Sequence, residues 1–183
     1  HNNWILFLSN CKLLFLLIGI IWSKSKKDLF SFSTPHLSHF NSFVDKICVV
    51  NLDEAIILIN SGIKKQIVIL SFYELDIKKI TIAIKNKVIF PVYLLEQINF
   101  LNRLTKTVGE TVKIHLKIDT GTTRIGVLPT DALKFAQEIS SLKNLKLEGI
   151  WSHFASSEDD FEYTKKQQSV FELSTHLYEN KWI

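Results

Sequence analysis

Cysteine is scarce in this sequence, with only Cys11 and Cys48 among 183 residues. Neither lies in a Cys-x-x-Cys pair or at the Cys/His spacing of a zinc site, so we predict no metal site. Cys48 lies in an apolar run that is typical of a buried strand. A reduced thiol in a cytoplasmic protein therefore explains the sequence more simply than a disulfide.

The excess of positive over negative charge is also small. The formal net charge is +4, and most of it comes from four lysines within residues 1–43. No Lys/Arg-rich stripe follows a predicted helix, which argues against a nucleic-acid-binding surface. The sequence also has no strict Gly-x-Gly-x-x-Gly, no Walker loop and no Gly-x-Ser-x-Gly motif.

Residues 1–43 differ from the rest of the chain. Trp4–Trp22 is long and apolar enough to be a transmembrane candidate, and the lysines that follow it suit a cytoplasmic flank. A second interpretation is that this stretch is not native coding sequence. Because the chain starts at His1 and stops just after a helical pattern, we expect it to be a fragment.

From Val44 onward, short apolar strands alternate with amphipathic helices. Asn51 is the predicted N-cap of the first helix, and Glu54 is its capping-box partner. The last predicted helix presents Val170, Leu173 and Leu177. The predicted strands are 46–50, 66–70, 88–92, 113–118 and one within 145–154, and the predicted helices are 52–62, 76–85, 94–104, 130–142 and 161–180.

This alternation predicts an α/β fold in which helices cover a parallel sheet. About five β/α units fit between residues 44 and 183. A (β/α)8 barrel needs eight units, so the chain is either part of a barrel or a smaller doubly wound sheet. The periodicity alone does not distinguish these two folds.

The side chains that could bind a ligand or take part in catalysis follow two of the predicted strands. In the stretch KIHLKIDTGTTRIGV, a strand ends near Asp119 and the following loop presents Arg124, whose planar guanidinium suits a carboxylate or a phenolate oxygen. The alternative is that Asp119 and Arg124 pair with each other in a polar turn. In GIWSHFASSEDD, His153 follows a strand, where a structural histidine is the more common outcome.

These stretches resemble the alanine racemase family. HLKIDTGTTRIGV is similar to the family's K-x-D-T-G-x-x-R-x-G signature, and GIWSHFA to its GxxxHFA segment. Residues 163–167 resemble the T-x-x-Q that opens the family's next helix. VVNLDEAIILINSGIKKQIVIL and PVYLLEQINFLN also match family stretches, so the resemblance covers about residues 44–180. The family usually has methionine where Thr122 stands.

The resemblance implies a partial TIM-type barrel that binds pyridoxal 5'-phosphate and interconverts L- and D-alanine for peptidoglycan of the bacterial cell wall. It implies that Arg124 bonds the cofactor's phenolic oxygen near the substrate carboxylate. His153 would lie beside the cofactor ring. Lys117 matches a lysine that is carbamylated in some members and braces the arginine, with Asp119 as a supporting residue. The family also implies a homodimer in the bacterial cytoplasm.

Two parts of the family's machinery are not recognisable. The family's Schiff-base lysine lies in a Val-Lys-Ala-Asn-Ala-Tyr-Gly motif upstream of the VVNLDEA stretch, and the sequence has no such motif. The catalytic tyrosine would lie beyond Ile183. We therefore identify no catalytic residue here and expect the chain alone to be inactive, because it lacks an acid and a base for proton transfer.

Three hypotheses follow. The first is a fragment of an alanine racemase, with residues 1–43 mistranslated after a frameshift upstream of about Val44. The second is a non-catalytic protein of the same fold that serves in binding or regulation. The third is an α/β protein anchored in the membrane through residues 4–22.

Overall fold

The computed structural model describes residues 46–179, with side chains described through residue 175. Within this range, five strands alternate with five helices. The strands are β1 (Lys46–Val49), β2 (Gln66–Ile69), β3 (Phe90–Val92), β4 (Val112–Lys117) and β5 (Leu145–Trp151). The helices are α1 (Leu52–Asn60), α2 (Ile77–Lys85), α3 (Leu95–Val108), α4 (Ala132–Ser141) and α5 (Phe161–Glu179).

The strands lie side by side in chain order, and all of their pairings are parallel. β1 pairs with β2, and β3 pairs with β4, which pairs with β5. A parallel bridge between Val68 and Ile89 connects the two sets, with the Ile89 amide donating to the Ile67 carbonyl at 2.8 Å. A doubly wound sheet would reverse the strand order, so this order confirms the partial barrel. The described strands do not close.

The two faces of the sheet pack against different surroundings. Ile67, Ile69, Phe90, Ile114 and Leu116 belong to the large core that the sheet forms with the helices. Cys48, Val68 and Ile89 form a separate, smaller cluster and alternate along the strands with residues of the large core, so they lie on the opposite face of the sheet. Burying each such aliphatic side chain contributes about 2 kcal/mol, so both faces stabilise the sheet. Cys48 is buried, as predicted, and its thiol is free among the described residues.

Side-chain caps fix the starts of the first two helices. The Asn51 side chain accepts the Glu54 amide at 3.0 Å, which confirms the predicted N-cap. The Glu54 carboxylate accepts the amide of Val50 at 2.8 Å, one residue before the expected partner. Asp76 caps α2 by accepting the Lys78 amide at 2.8 Å and the Lys79 amide at 3.1 Å. These bonds satisfy amides that have no partner inside the helix.

The prediction for the last helix was wrong about its buried face. Leu173 is 74% exposed, and Val170 is only partly buried. The side chain of Leu177 lies outside the described residues. The buried positions of α5 are Thr164, Gln167, Phe171 and Ser174. Thr164 and Gln167 are buried because their side chains bond to the segment after β5, at Ser156, His153 and Ala155, which the spacing of apolar residues does not report.

Other boundaries differ by a few residues. α3 runs to Val108 and ends at Gly109, whose φ of 75° breaks the helix, whereas the prediction stopped at Leu104. A 3-10 turn at Pro129–Asp131 precedes α4, where the prediction had the helix begin at Thr130. Across residues 46–179, none of the helices is long and apolar enough to cross a membrane. The membrane-span candidate Trp4–Trp22 and the domain boundary at residue 43 lie outside the described residues.

Candidate active site

The candidate site lies at the carboxyl ends of β4 and β5, where the sequence predicted it. Lys117 ends β4 and is paired in register with Trp151, which ends β5. The chain continues from β4 through Asp119 to Val127, where Ile118 and Val127 form a parallel bridge. The loop between them carries Arg124. The carboxyl edge of a parallel sheet is where α/β proteins place their functional groups.

The loop after β4 is organised around the carboxylate of Asp119. Its Oδ1 accepts the Gly121 amide at 2.9 Å, the Thr123 amide at 3.1 Å and the Thr122 hydroxyl at 3.1 Å. Its Oδ2 accepts the backbone amide of Arg124 at 3.0 Å. Burial alone would raise the pKa of Asp119, but these hydrogen bonds outweigh it and the pKa is lowered.

This arrangement decides the alternative in which Asp119 and Arg124 pair as ions. Asp119 binds the backbone of Arg124, and among the described residues the ion pairs within 4.0 Å do not include these two side chains. Asp119 therefore shapes the loop and leaves the exposed Arg124 guanidinium available to another group. Thr122, noted as a departure from the family, contributes a hydroxyl to the same carboxylate.

Two backbone positions in this segment have unusual conformations. Gly126 has φ 143°, and a Cβ there would lie 2.5 Å from the Asp119 amide nitrogen and 2.8 Å from the Ile118 carbonyl carbon. Only glycine lets the end of the loop pass this close to its beginning. Thr123 has φ 54°, in the left-handed region. The bonds from Asp119 to both neighbours of Thr123 hold this strained residue in place.

Lys117 is a buried amine at the centre of the site. It is 2% exposed, and its Nζ donates to the Leu70 carbonyl at 3.3 Å and lies 4.4 Å from the centroid of the Trp151 ring. Burial and the nearby Arg124 cation lower its pKa to about 8, with Asp119 acting weakly in the opposite direction. A lysine with this pKa is partly neutral near physiological pH.

His153 lies in the same electrostatic environment. Burial lowers its pKa to about 4, and the cations of Arg124 and Lys117 contribute in the same direction. The structure therefore brings the predicted residues Lys117, Arg124 and His153 within electrostatic reach of one another. His153 is a neutral imidazole near pH 7, so it can donate from one ring nitrogen and accept at the other.

Two residues that the sequence pattern did not indicate lie beside this site. Trp151 supplies the aromatic face under the Lys117 amine. Ser152 is hydrogen-bonded to Thr120, with 2.7 Å between the two hydroxyl oxygens, which joins the loop after β4 to the segment after β5. Lys117 and Trp151 are brought together by the register of β4 against β5. The sequence of either strand by itself does not indicate this register.

A separate charged cluster lies at the opposite, amino end of the strands. Glu148 accepts hydrogen bonds from Lys46 at 2.9 Å and Lys113 at 2.6 Å, and His115 Nε2 lies 3.5 Å from it. A register shift between β4 and β5 places Glu148 there. His115, Lys113 and Lys46 hold the pKa of Glu148 well below its usual range, although burial opposes them. Burial lowers the pKa of His115, and Glu148 only partly offsets this.

The family model described as "Alanine racemase, N-terminal domain" matches residues 34–182, which is most of the chain. The chain belongs to this family. The alanine racemase of Treponema denticola is 39% identical over 135 residues, which are 72% of this chain and 35% of that protein. The alanine racemase of Desulfovibrio desulfuricans is 38% identical over 124 residues, 67% of this chain and 33% of that protein.

Solved structures give the same result. A Clostridium difficile alanine racemase superposes with a TM-score of 0.72 at 32% identity, covering 81% of this chain and 39% of that one. A histidine racemase from Leuconostoc mesenteroides gives a TM-score of 0.69 at 25% identity, covering 81% of this chain and 41% of that one. The chain thus spans about a third of the length of the curated alanine racemases that it matches, and its fold is also similar to that of a histidine racemase.

Proposed function

We propose that this chain is part of the pyridoxal-phosphate-binding barrel of an alanine racemase, acting on alanine in the cytoplasm of a bacterium as a homodimer. The observation that carries the proposal is geometric: Lys117 ends β4, Arg124 lies in the loop after it and His153 follows β5, the strand paired with β4. The identity to alanine racemases, 39% and 38%, favours alanine over histidine as the substrate.

The donor groups of the site suit an anionic oxygen of the cofactor. Lys117 and Arg124 are two cations, and the nearest carboxylate, Asp119, already accepts four hydrogen bonds from its own loop. The amine of Lys117 contacts a carbonyl and an aromatic ring. The positive charge is therefore not neutralised locally, and an anion placed against Arg124 would gain from it.

Arg124 would hold the phenolic oxygen of pyridoxal phosphate and the substrate carboxylate. Bound at this site, the cofactor supplies delocalisation of negative charge from the α-carbon. A carbamylated Lys117 would brace the guanidinium from the barrel interior, because the carbamate is an anion whereas the unmodified amine repels Arg124. His153 would stay neutral and donate or accept a single hydrogen bond beside the ring. Asp119 fixes the loop that presents Arg124.

The described residues do not include a group that we assign as the acid or base of racemisation. At neutral pH His153 is already deprotonated, with a pKa near 4, so it is a poor proton donor. Lys117 is 2% exposed in the barrel interior. We propose that this chain contributes binding and orientation, and that other residues of the whole protein move the α-proton.

Titration of the purified chain with pyridoxal 5'-phosphate tests the assigned site. Binding is measured by the change in cofactor absorbance and by quenching of tryptophan fluorescence. Arg124→Gln removes the proposed ligand, whereas Arg103→Gln removes an exposed arginine of α3 and serves as the matched control. We expect Arg124→Gln to weaken binding at least tenfold and Arg103→Gln to leave it unchanged. Equal affinities of the two variants would refute the assignment.

A further inference from the structure

α5 buries an amide at the centre of its docking face. The side chain of Gln167 is 0% exposed, whereas a polar side chain is usually found on the exposed face of a helix. Burying an amide costs free energy unless its groups are hydrogen-bonded. A helix that needed only to fill space here would do so more favourably with leucine or methionine. The bonds that Gln167 makes therefore indicate what it does.

Gln167 connects α5 to both loops of the candidate site. Its Oε1 accepts the amide of Ala155 at 2.9 Å. Its Nε2 donates to the carbonyl of His153 at 3.2 Å and to the hydroxyl of Thr120 at 3.4 Å. One side chain thus binds the backbone on both sides of Phe154 in the segment after β5, and also the loop after β4.

Tyr163 makes a second connection one helical turn earlier. Residues four apart lie on the same face of a helix, so Tyr163 and Gln167 are neighbours. The Tyr163 hydroxyl donates to the Gly121 carbonyl at 2.8 Å. Gly121 has φ 144°, and a Cβ there would lie 2.5 Å from the same hydroxyl oxygen. Tyr163 therefore approaches residues 119–127, here called the Arg124 loop, so closely that position 121 requires glycine.

We propose that Tyr163 and Gln167 are positioning residues. They hold the Arg124 loop and residues 152–155, here called the His153 segment, in one fixed arrangement. Tyr163 binds the first loop, Gln167 binds both, and α5 is the rigid element that carries the two. This inference rests on the proposed function, because it concerns how that site is held. It assigns a purpose to a polar helix face that packing alone does not explain.

Gln167→Met tests the proposal because it keeps the volume of the side chain and removes its hydrogen bonds. The matched control is Gln168→Met, since Gln168 lies next to it and its amide donates within the helix, to the Glu172 carboxylate at 2.8 Å. Two NMR readouts are used on the whole chain without cofactor: the pKa of the His153 imidazole and the hydrogen exchange of the Ala155 amide.

In Gln167→Met, we expect the pKa of His153 to rise from about 4 toward its ordinary 6.5, because the imidazole is no longer held in a buried position beside Arg124 and Lys117. We expect Ala155 exchange to become at least tenfold faster. Gln168→Met should change neither. A folded Gln167→Met chain with both readouts unchanged overturns the proposal.

Tyr163→Phe is the second variant, and it decides the matter if Gln167→Met does not fold. It removes only the hydroxyl, so the Arg124 loop loses the Tyr163 bond and keeps only the 3.4 Å bond from Gln167 to Thr120. We expect the pKa values of Lys117 and His153 both to rise, because the Arg124 cation lowers both of them. Two unchanged pKa values overturn the proposal. These readouts need neither cofactor nor substrate. They therefore test how the loops are held, whether or not the chain is part of a racemase.

Discussion

The amine of Lys117 lies 4.4 Å from the centroid of the Trp151 ring, across two neighbouring strands. The two residues are partners in the register of β4 and β5, so the contact is fixed by the backbone. A cation over an indole face is stabilised by the ring's electron density, and burial makes this stronger. The site thus holds a buried amine against an aromatic face, close to the cation of Arg124.

Replacing Arg124 should change the titration of its two neighbours. In Arg124→Gln, we expect the pKa of Lys117 to rise from about 8 and that of His153 to rise from about 4, because the arginine cation disfavours a second positive charge nearby. Burial still acts on both groups, so neither should reach its ordinary value. NMR titration measures both, with Arg103→Gln as the control. If the two pKa values stay in place, Arg124 does not face this site.

Asp119→Ala should destabilise the folded chain by about 2 kcal/mol, because three backbone amides and one hydroxyl lose their acceptor. Asp131→Ala is the control, since Asp131 is exposed and makes no side-chain cap for α4. Urea unfolding followed by circular dichroism measures both. Equal stability of the two variants would contradict the role of Asp119 in holding its loop.

Gly126→Ala and Gly109→Ala separate close packing from backbone conformation. A Cβ at Gly109 would meet nothing within 4 Å, so its alanine variant carries only the cost of φ 75°, about 1 kcal/mol. At Gly126 the added methyl would also overlap the Asp119 and Ile118 backbones. We expect Gly126→Ala to lose clearly more unfolding free energy in urea. A smaller loss at position 126 than at 109 would contradict the described loop.

The stability of the chain should fall as the pH drops below about 6.5. The folded-state pKa values of His115 and His153 are lowered, so the unfolded chain takes up protons near pH 6.5 while the folded chain does not. The lowered pKa of Glu148 adds a further loss below about pH 4.5. Urea unfolding between pH 8 and 4 measures this. His115→Gln should flatten the curve between pH 6.5 and 5, and an unchanged slope would contradict a buried neutral His115.

The sequence predicted the strands and most helix positions, because apolar spacing is a direct consequence of burial on a sheet or a helix. It also predicted that Lys117, Arg124 and His153 follow neighbouring strands. β4 alternates Lys113, His115 and Lys117 with the apolar residues of the helix-facing core. The same alternation puts these polar side chains on the opposite face of the sheet.

Contacts between elements could not be predicted from the sequence alone. The register that pairs Lys117 with Trp151 depends on a β-bulge between the strands. The four bonds of Asp119 depend on the path of a loop that includes the left-handed Thr123. The polar docking face of α5 contradicts an apolar-spacing rule, because Gln167 is buried for its hydrogen bonds and Leu173 is exposed.

We propose that Arg124 belongs to the active site of an alanine racemase, and the most direct test is racemisation by the complete gene product that contains this chain. The measurement is exchange of the α-proton of L- and D-alanine in D2O, followed by NMR in the presence of pyridoxal phosphate. We predict exchange of both enantiomers, a loss of about 100-fold in Arg124→Gln and no loss in Arg103→Gln. A folded, cofactor-bound protein that exchanges neither enantiomer, or an Arg124→Gln variant with full activity, would contradict the claim.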